Sequence, residues 1–146
     1  MFYDTNFNSM NKKLRSILLV DDDHDDNFFH EREIKKYDPA INVIAKKTGL
    51  EALDYLKSKK AIANMQPDLI FLDINMPGMN GWEFLKEYNQ LDKKLQSEII
   101  VIMLTTSDNP DDVAKAKTLN FVSDYMTKPM TRENMNVIVN KYFTNH

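Results

Sequence analysis

In the stretch Ser16-Ile17-Leu18-Leu19-Val20-Asp21-Asp22-Asp23, an apolar run stops abruptly on three consecutive acids. The same pattern returns in Leu69-Ile70-Phe71-Leu72, which ends on Asp73, and in Ile99-Ile100-Val101-Ile102-Met103-Leu104, closed by Thr105-Thr106-Ser107. Asn42 to Ala45 is a weaker strand candidate, and Phe121 to Met126, ending near Thr127-Lys128-Pro129, is the weakest. Strands that are apolar at every position are covered on both faces, as in a parallel sheet.

Helical patterns fill the intervals. Thr48-Gly49-Leu50-Glu51 matches a capping box ahead of Ala52, Leu53 and Leu56. Asn80-Gly81-Trp82-Glu83 has similar spacing and leads Phe84, Leu85, Tyr88 and Leu91. Asn109-Pro110-Asp111-Asp112 sets Pro at a first helical position with acids in the first turn. Thr131 can cap a last helix striped by Met135, Ile138, Val139 and Tyr142, and the first helix, about Asp25 to Tyr37, has the poorest pattern. The resulting order βαβαβαβαβα predicts an α/β fold, a doubly wound parallel five-stranded sheet.

Composition agrees. The chain has 146 residues, 42% of them hydrophobic, with three Gly and five Pro, enough for one domain with a real core. The absence of Cys excludes disulfides, thiolate metal sites and a Cys nucleophile, and suits a cytoplasmic setting. A net charge of −3 gives no bulk electrostatic reason to bind nucleic acid. The apolar runs are too short to span a bilayer, and Met1 to Asn11 lacks the apolar core of a secretion signal. The expectation is a soluble single domain that acts without binding DNA or membrane.

The polar residues at strand ends carry the chemistry. Ligands of open α/β sheets bind outside the carboxyl ends of the strands, where the strand order switches. Asp21 and Asp22 follow strand one, Asp73 strand three, Thr105 strand four and Lys128 strand five. In a sheet of order 2-1-3-4-5, strands one and three are neighbours, so the three carboxylates would converge. Their mutual repulsion calls for a hard divalent cation such as Mg²⁺, and a carboxylate so placed can attack phosphorus to form an acyl phosphate. Lys128 and Thr105 would supply charge and a hydrogen bond to the transferring group.

Four strings in order, Ile17 to Asp23, Asp73-Ile74-Asn75-Met76-Pro77-Gly78-Met79-Asn80-Gly81, Leu104-Thr105 and Lys128-Pro129, resemble the receiver domains of two-component response regulators, the CheY-like proteins. The resemblance runs from about Ser16 to the end of the chain, leaving residues 1–15 as an N-terminal extension and 16–146 as the receiver. It implies a flavodoxin-like sheet of order 2-1-3-4-5, Asp73 as phosphoacceptor, and Mg²⁺ held by Asp21, Asp22, Asp73 and the backbone carbonyl of Asn75. It also implies that Lys128 pairs with Asp73, that Thr105 and Tyr125 form the switch, and that the peptide before Pro129 is cis. Asp22 to Asp73 is several residues longer than in compact receivers, an excess that fits Asp38 to Asn42 or Ser58 to Asp68.

The implied function is a phosphorelay switch rather than an enzyme, catalysing only its own phosphotransfer and dephosphorylation. Its phosphodonor would be a sensor histidine kinase or a histidine phosphotransfer protein. Its output would pass to a separate protein target, as monomer or homodimer, through the face of the fourth helix, fifth strand and fifth helix. Two alternatives stand beside it: a pseudo-receiver acting as a constitutive interaction module, and a phosphohydrolase. An EF-hand fails for want of Gly at the sixth loop position and Glu at the twelfth. His24, His30 and His146 lack clustered partners and read as structural or incidental, and the nine Met as core filler. His30 is expected on the inner face of the first helix with Asp26, Phe29, Ile34 and Tyr37. Phe28 is expected on the outer face, as a candidate contact for the phosphodonor, and Trp82 half exposed just past the Asp73 loop.

Overall fold

A computed structural model describes residues 12–58 and 66–144. The elements alternate as β1 (Ser16–Val20), α1 (His24–Tyr37), β2 (Asn42–Lys46), α2 (Gly49–Lys57), β3 (Leu69–Leu72), α3 (Gly81–Tyr88), α4 (Lys93–Ser97), β4 (Ile100–Thr105), α5 (Pro110–Lys117), β5 (Asp124–Thr127) and α6 (Arg132–Tyr142). All strand pairs are parallel, in the order β2-β1-β3-β4-β5. The central strands β1, β3 and β4 are buried at every position, which is why their sequences carry no polar alternation.

Successive side chains of a strand point to opposite faces, and each face closes its own core. Leu18, Val20, Ile70, Leu72, Val101 and Met103 pack beneath Ala52, Leu53 and Leu56 of α2 and Phe84, Leu85 and Tyr88 of α3. Ile17, Leu19, Phe71, Ile100 and Ile102 pack on the other side against Ile34 of α1 and Met135, Ile138, Val139 and Tyr142 of α6. Leu14 joins this second core, so the residues just before β1 are packed on the domain. Residues 1–11, and with them most of the expected extension, lie outside the described residues, as do His146 and much of the Ser58 to Asp68 connection.

Several expectations are corrected. The last strand starts at Asp124 rather than Phe121, because the Val122 N–H turns back to the Leu119 carbonyl and pairing with β4 begins at Ser123. The Phe121 ring serves a lateral contact with Tyr88 instead. The third helix stops at Tyr88, short of Leu91, and a short helix unforeseen in the sequence, α4, follows behind an Asp92 cap. The expected output face of fourth helix, fifth strand and fifth helix therefore corresponds to α5, β5 and α6. Of the capping box at Thr48, only the bond from the Glu51 N–H to the Thr48 side chain forms, whereas Asn80 with Glu83 makes the full box. Phe29 is exposed rather than inward, and the inner face of α1 is instead Asn27, His30, Glu33 and Ile34. Phe28 is 60% exposed and Trp82 half-buried, as expected. Of the Met residues described, Met76, Met103, Met130 and Met135 are core.

Candidate functional site

Backbone pairing continues one residue past the strands and fixes the site. The Asp21 N–H donates to the Lys46 carbonyl at 3.1 Å, the Asp73 N–H to the Val20 carbonyl at 3.0 Å, and the Lys128 N–H to the Thr105 carbonyl at 2.8 Å. Each functional residue is thus the first position beyond its strand, held by the neighbouring strand. The polar run after β1 then serves local structure. Asp23 caps α1, accepting from the Asp25 and Asp26 N–H groups, while the Asp21 carboxylate accepts from the Asp23 N–H at 3.0 Å. The Asn27 side chain donates to the Asp21 carbonyl at 2.8 Å.

The loop after Asp73 is closed by two glycines with separate duties. Gly78 takes a left-handed conformation, φ +72°, which other residues adopt at a cost. Gly81 opens α3 in direct contact with the loop: a Cβ there would lie 2.6 Å from the Asp73 carbonyl oxygen and 2.8 Å from the Ile74 Cα. That close approach lets the Gly81 N–H donate to the Ile74 carbonyl at 2.8 Å. The Asn75 N–H turns back to the Asp73 carboxylate at 3.3 Å.

Asp21, Asp22 and Asp73 each offer a carboxylate oxygen, all within 4.8 Å of one another. Asp21 and Asp73 are buried and Asp22 is exposed. The Lys128 ammonium reaches in from the opposite edge to Asp21 at 2.6 Å, Asp26 at 2.7 Å and Asp73 at 3.2 Å, with its side chain only 8% exposed. Burial alone would lower the Lys128 pKa, but its hydrogen bonds to Asp21 and Asp26 and the charges of Asp21 and Asp73 hold it above its ordinary value. Burial raises the Asp21 carboxyl above its ordinary value, with the Asp73 charge adding to the shift and Lys128 opposing it. One ammonium shared among three carboxylates leaves the edge short of positive charge. A hard divalent cation among oxygen donors meets that deficit.

Asp26 is the residue that sequence reading missed. It stands in the acidic run on the first helix, and its partner Lys128 is 102 residues away, so no local pattern marks it. Thr105 is fully buried and its hydroxyl accepts from the Ser107 N–H at 3.4 Å. The Tyr125 hydroxyl donates to the Ser107 carbonyl at 2.7 Å, and the Ser107 hydroxyl to Asp112 at 2.7 Å. Thr105 and Tyr125 therefore meet at Ser107, and neither hydrogen-bonds the carboxylates among the described residues. The Lys128–Pro129 peptide is cis, as the resemblance implied. His24 is exposed, and the buried His30 lies behind the Lys128 loop.

Known proteins share both fold and sequence with this chain. Response regulator Rcp1 of Synechocystis is 36% identical over 113 residues, covering 77% of this chain and 75% of that protein. Sporulation initiation phosphotransferase F of Bacillus subtilis is 29% identical, covering 91% of this chain and 94% of its own. Among solved structures, a two-component response regulator from Cytophaga hutchinsonii superposes with a TM-score of 0.82 at 34% identity, covering 90% of this chain and 98% of that one. Residues 17–140 match the family model of the response regulator receiver domain, and with the strand order and the acidic edge already described the chain belongs to that family, the phosphoryl-accepting switches of two-component signalling.

Proposed function

We propose that Asp73 is the phosphoacceptor and that the acidic edge is a Mg²⁺-dependent phosphotransfer site. The observation that carries this reading is the buried Lys128 ammonium shared by Asp21, Asp26 and Asp73 beside the Asp21-Asp22-Asp73 cluster. Asp21, Asp22, Asp73 and the Asn75 carbonyl are the donors that would hold Mg²⁺, and their hard oxygens fit it. When bound, the ion neutralises charge on the transferring phosphoryl oxygens.

The chain's own residues do the rest. An Asp73 carboxylate oxygen attacks phosphorus as the nitrogen–phosphorus bond of a phosphohistidine breaks, leaving the imidazole on the partner and an acyl phosphate here. Lys128, already aimed at Asp73, exchanges a carboxylate partner for a phosphoryl oxygen and so stabilises negative charge where it accumulates. Thr105, at the end of the adjoining strand, would turn its hydroxyl to donate to the same group. That movement would disturb Ser107, on which the Tyr125 hydroxyl rests, and so carry the change to the α5-β5-α6 face. In this reading Thr105 and Tyr125 are the switch, and the protein turns over no exogenous substrate.

The receiver comprises Ser16 onward, with 1–15 as an extension, and works in the cytoplasm; among the described residues no helix is long and apolar enough to cross a membrane. A sensor histidine kinase or histidine phosphotransfer protein supplies the phosphoryl group, with the exposed Phe28 on α1 a contact for it. The test is intact mass after incubation with acetyl phosphate and Mg²⁺. Wild type should gain one acid-labile phosphoryl mass and D73N none. No gain on wild type would leave a constitutive interaction module as the reading, and turnover across many phosphate esters would favour a hydrolase.

A further inference from the structure

The side of α1 toward the β5–α6 connection is polar where a helix on a sheet is ordinarily apolar, and Asp26, His30 and Glu33 on it all meet one segment. Asp26 accepts from the Lys128 ammonium at 2.7 Å. One turn on, His30 Nε2 accepts from the backbone N–H of Met130 at 3.2 Å, both residues being buried. Three residues further, Glu33 accepts from the backbone N–H of Arg132 at 3.0 Å, a donor that α6 itself leaves unpaired at its first position. Helix positions 26, 30 and 33 thus hold loop positions 128 and 130 and the first residue of α6, position 132, in register. Of the three, Asp26 and Glu33 bind through carboxylates, and His30 alone can change its bonding near neutral pH.

We propose that His30 is a positioning residue for Lys128: its neutral ring ties the Met130 backbone to α1, and protonation releases that tie and weakens phosphoryl acceptance at Asp73. The proposal rests on the reading of Asp73 and Lys128 given above. Accepting the Met130 N–H requires a lone pair on Nε2, which assigns the proton of the neutral ring to Nδ1. An imidazolium has no such lone pair and would set one N–H against another. The buried amide would then lose its partner two residues from the ammonium that neutralises the site.

The groups facing the ring are mixed in sign. Lys128, from the β5–α6 loop, opposes a positive ring, while Asp26 and Glu33 on α1 and Asp73 at the end of β3 favour one. Burial comes before all of these and, with Lys128, lowers the His30 pKa below its ordinary 6.5. The ring is therefore neutral at pH 7, and release belongs to the range below 6.5.

Two measurements on the intact chain test this. In an NMR titration of wild type, the Met130 amide resonance should move with the midpoint of the His30 ring, and its exchange with solvent should speed up below that midpoint. In parallel, initial rates of mass gain from acetyl phosphate with Mg²⁺ are compared with those of His30→Gln, whose terminal amide oxygen can accept at the Nε2 position without titrating. The ratio of wild type to variant should be flat above pH 7 and fall as pH drops through the His30 midpoint read from the NMR titration, by about three- to tenfold once the ring is fully protonated, the effect one neutral hydrogen bond can have on the population of a positioned loop. His30→Leu, which keeps bulk but no acceptor, should be slow at every pH. A Met130 amide indifferent to the His30 titration, or a flat rate ratio, overturns the proposal while Asp73-dependent mass gain leaves the site reading standing. Absence of Asp73-dependent gain at every pH brings down both.

Discussion

Replacing Asp73 by Asn should make the protein more stable in metal-free buffer, and the charges give the size of the effect. The carboxylates of Asp21 and Asp22 each have an oxygen within 4.8 Å of Asp73. At an effective dielectric of about 20, each such repulsion is about 3.5 kcal/mol. The Lys128 ammonium, 3.2 Å from Asp73, returns about 5 kcal/mol by the same rule. The two repulsions exceed the attraction by about 2 kcal/mol, and screening of the exposed Asp22 brings the surplus nearer to about 1 kcal/mol. Removing a buried ionised carboxylate adds to it, since Asp73 is only 6% exposed. The Asn side-chain oxygen can still accept from the Asn75 N–H. A gain of about 1–2 kcal/mol, or about 3–6 °C in Tm, is expected.

Urea unfolding in EDTA, followed by the fluorescence of Trp82, the only Trp, reads this directly. Adding Mg²⁺ should narrow or reverse the difference, because the ion stabilises wild type by mass action and the variant has lost a ligand. Lowering the pH should narrow it too. The folded Asp21 carboxyl is held above its ordinary 3.8, so its charge costs stability at neutral pH, and that cost is relieved as pH falls through the raised value toward 3.8. A D73N variant no more stable than wild type in EDTA would refute the account of an edge short of positive charge.

Three other substitutions follow from the same geometry. Lys128→Met strips two buried carboxylates of their cation and should cost about 3–5 kcal/mol in urea melts, with D73N/K128M recovering part of the loss. Gly81→Ala drives a methyl into the Asp73 carbonyl, so a destabilisation of about 1–3 kcal/mol should accompany slower mass gain from acetyl phosphate. The buried Tyr88 hydroxyl has no hydrogen-bond partner among the described residues, so Tyr88→Phe should raise stability by about 1 kcal/mol in thermal melts and leave phosphorylation unchanged.

The strands that position the site were legible because both faces of β1, β3 and β4 are buried, and burial writes an unbroken apolar run. Their ends were legible because Asp21, Asp73 and Thr105 interrupt those runs at once. The edge strand β5 was not, because its partly exposed residues carry less apolar signal and Phe121, which looked like its start, is spent on Tyr88. Nor was α4, since five residues hold too little periodicity to show. Asp26, His30 and Glu33 were illegible for a different reason. Their partners Lys128, Met130 and Arg132 lie about a hundred residues away, and two of the three bonds end on backbone N–H groups that leave no mark in sequence.

That asymmetry bears on how the site works. A helix bought at the expense of an apolar inner face has to be held by something other than burial, and on α1 these bonds to the Lys128 loop do the holding. The same bonds keep the ammonium in place against three carboxylates that are unstable together without it. Fold and site therefore share their supports at this edge: loosening α1 from the loop frees Lys128, and drawing Lys128 toward a new anion on Asp73 removes its grip on Asp26. Phosphorylation should then be felt on α1 as well as on the α5-β5-α6 face. Hydrogen exchange of the α1 amides with and without acyl phosphate separates this from a switch confined to Thr105 and Tyr125, for which α1 would be unchanged.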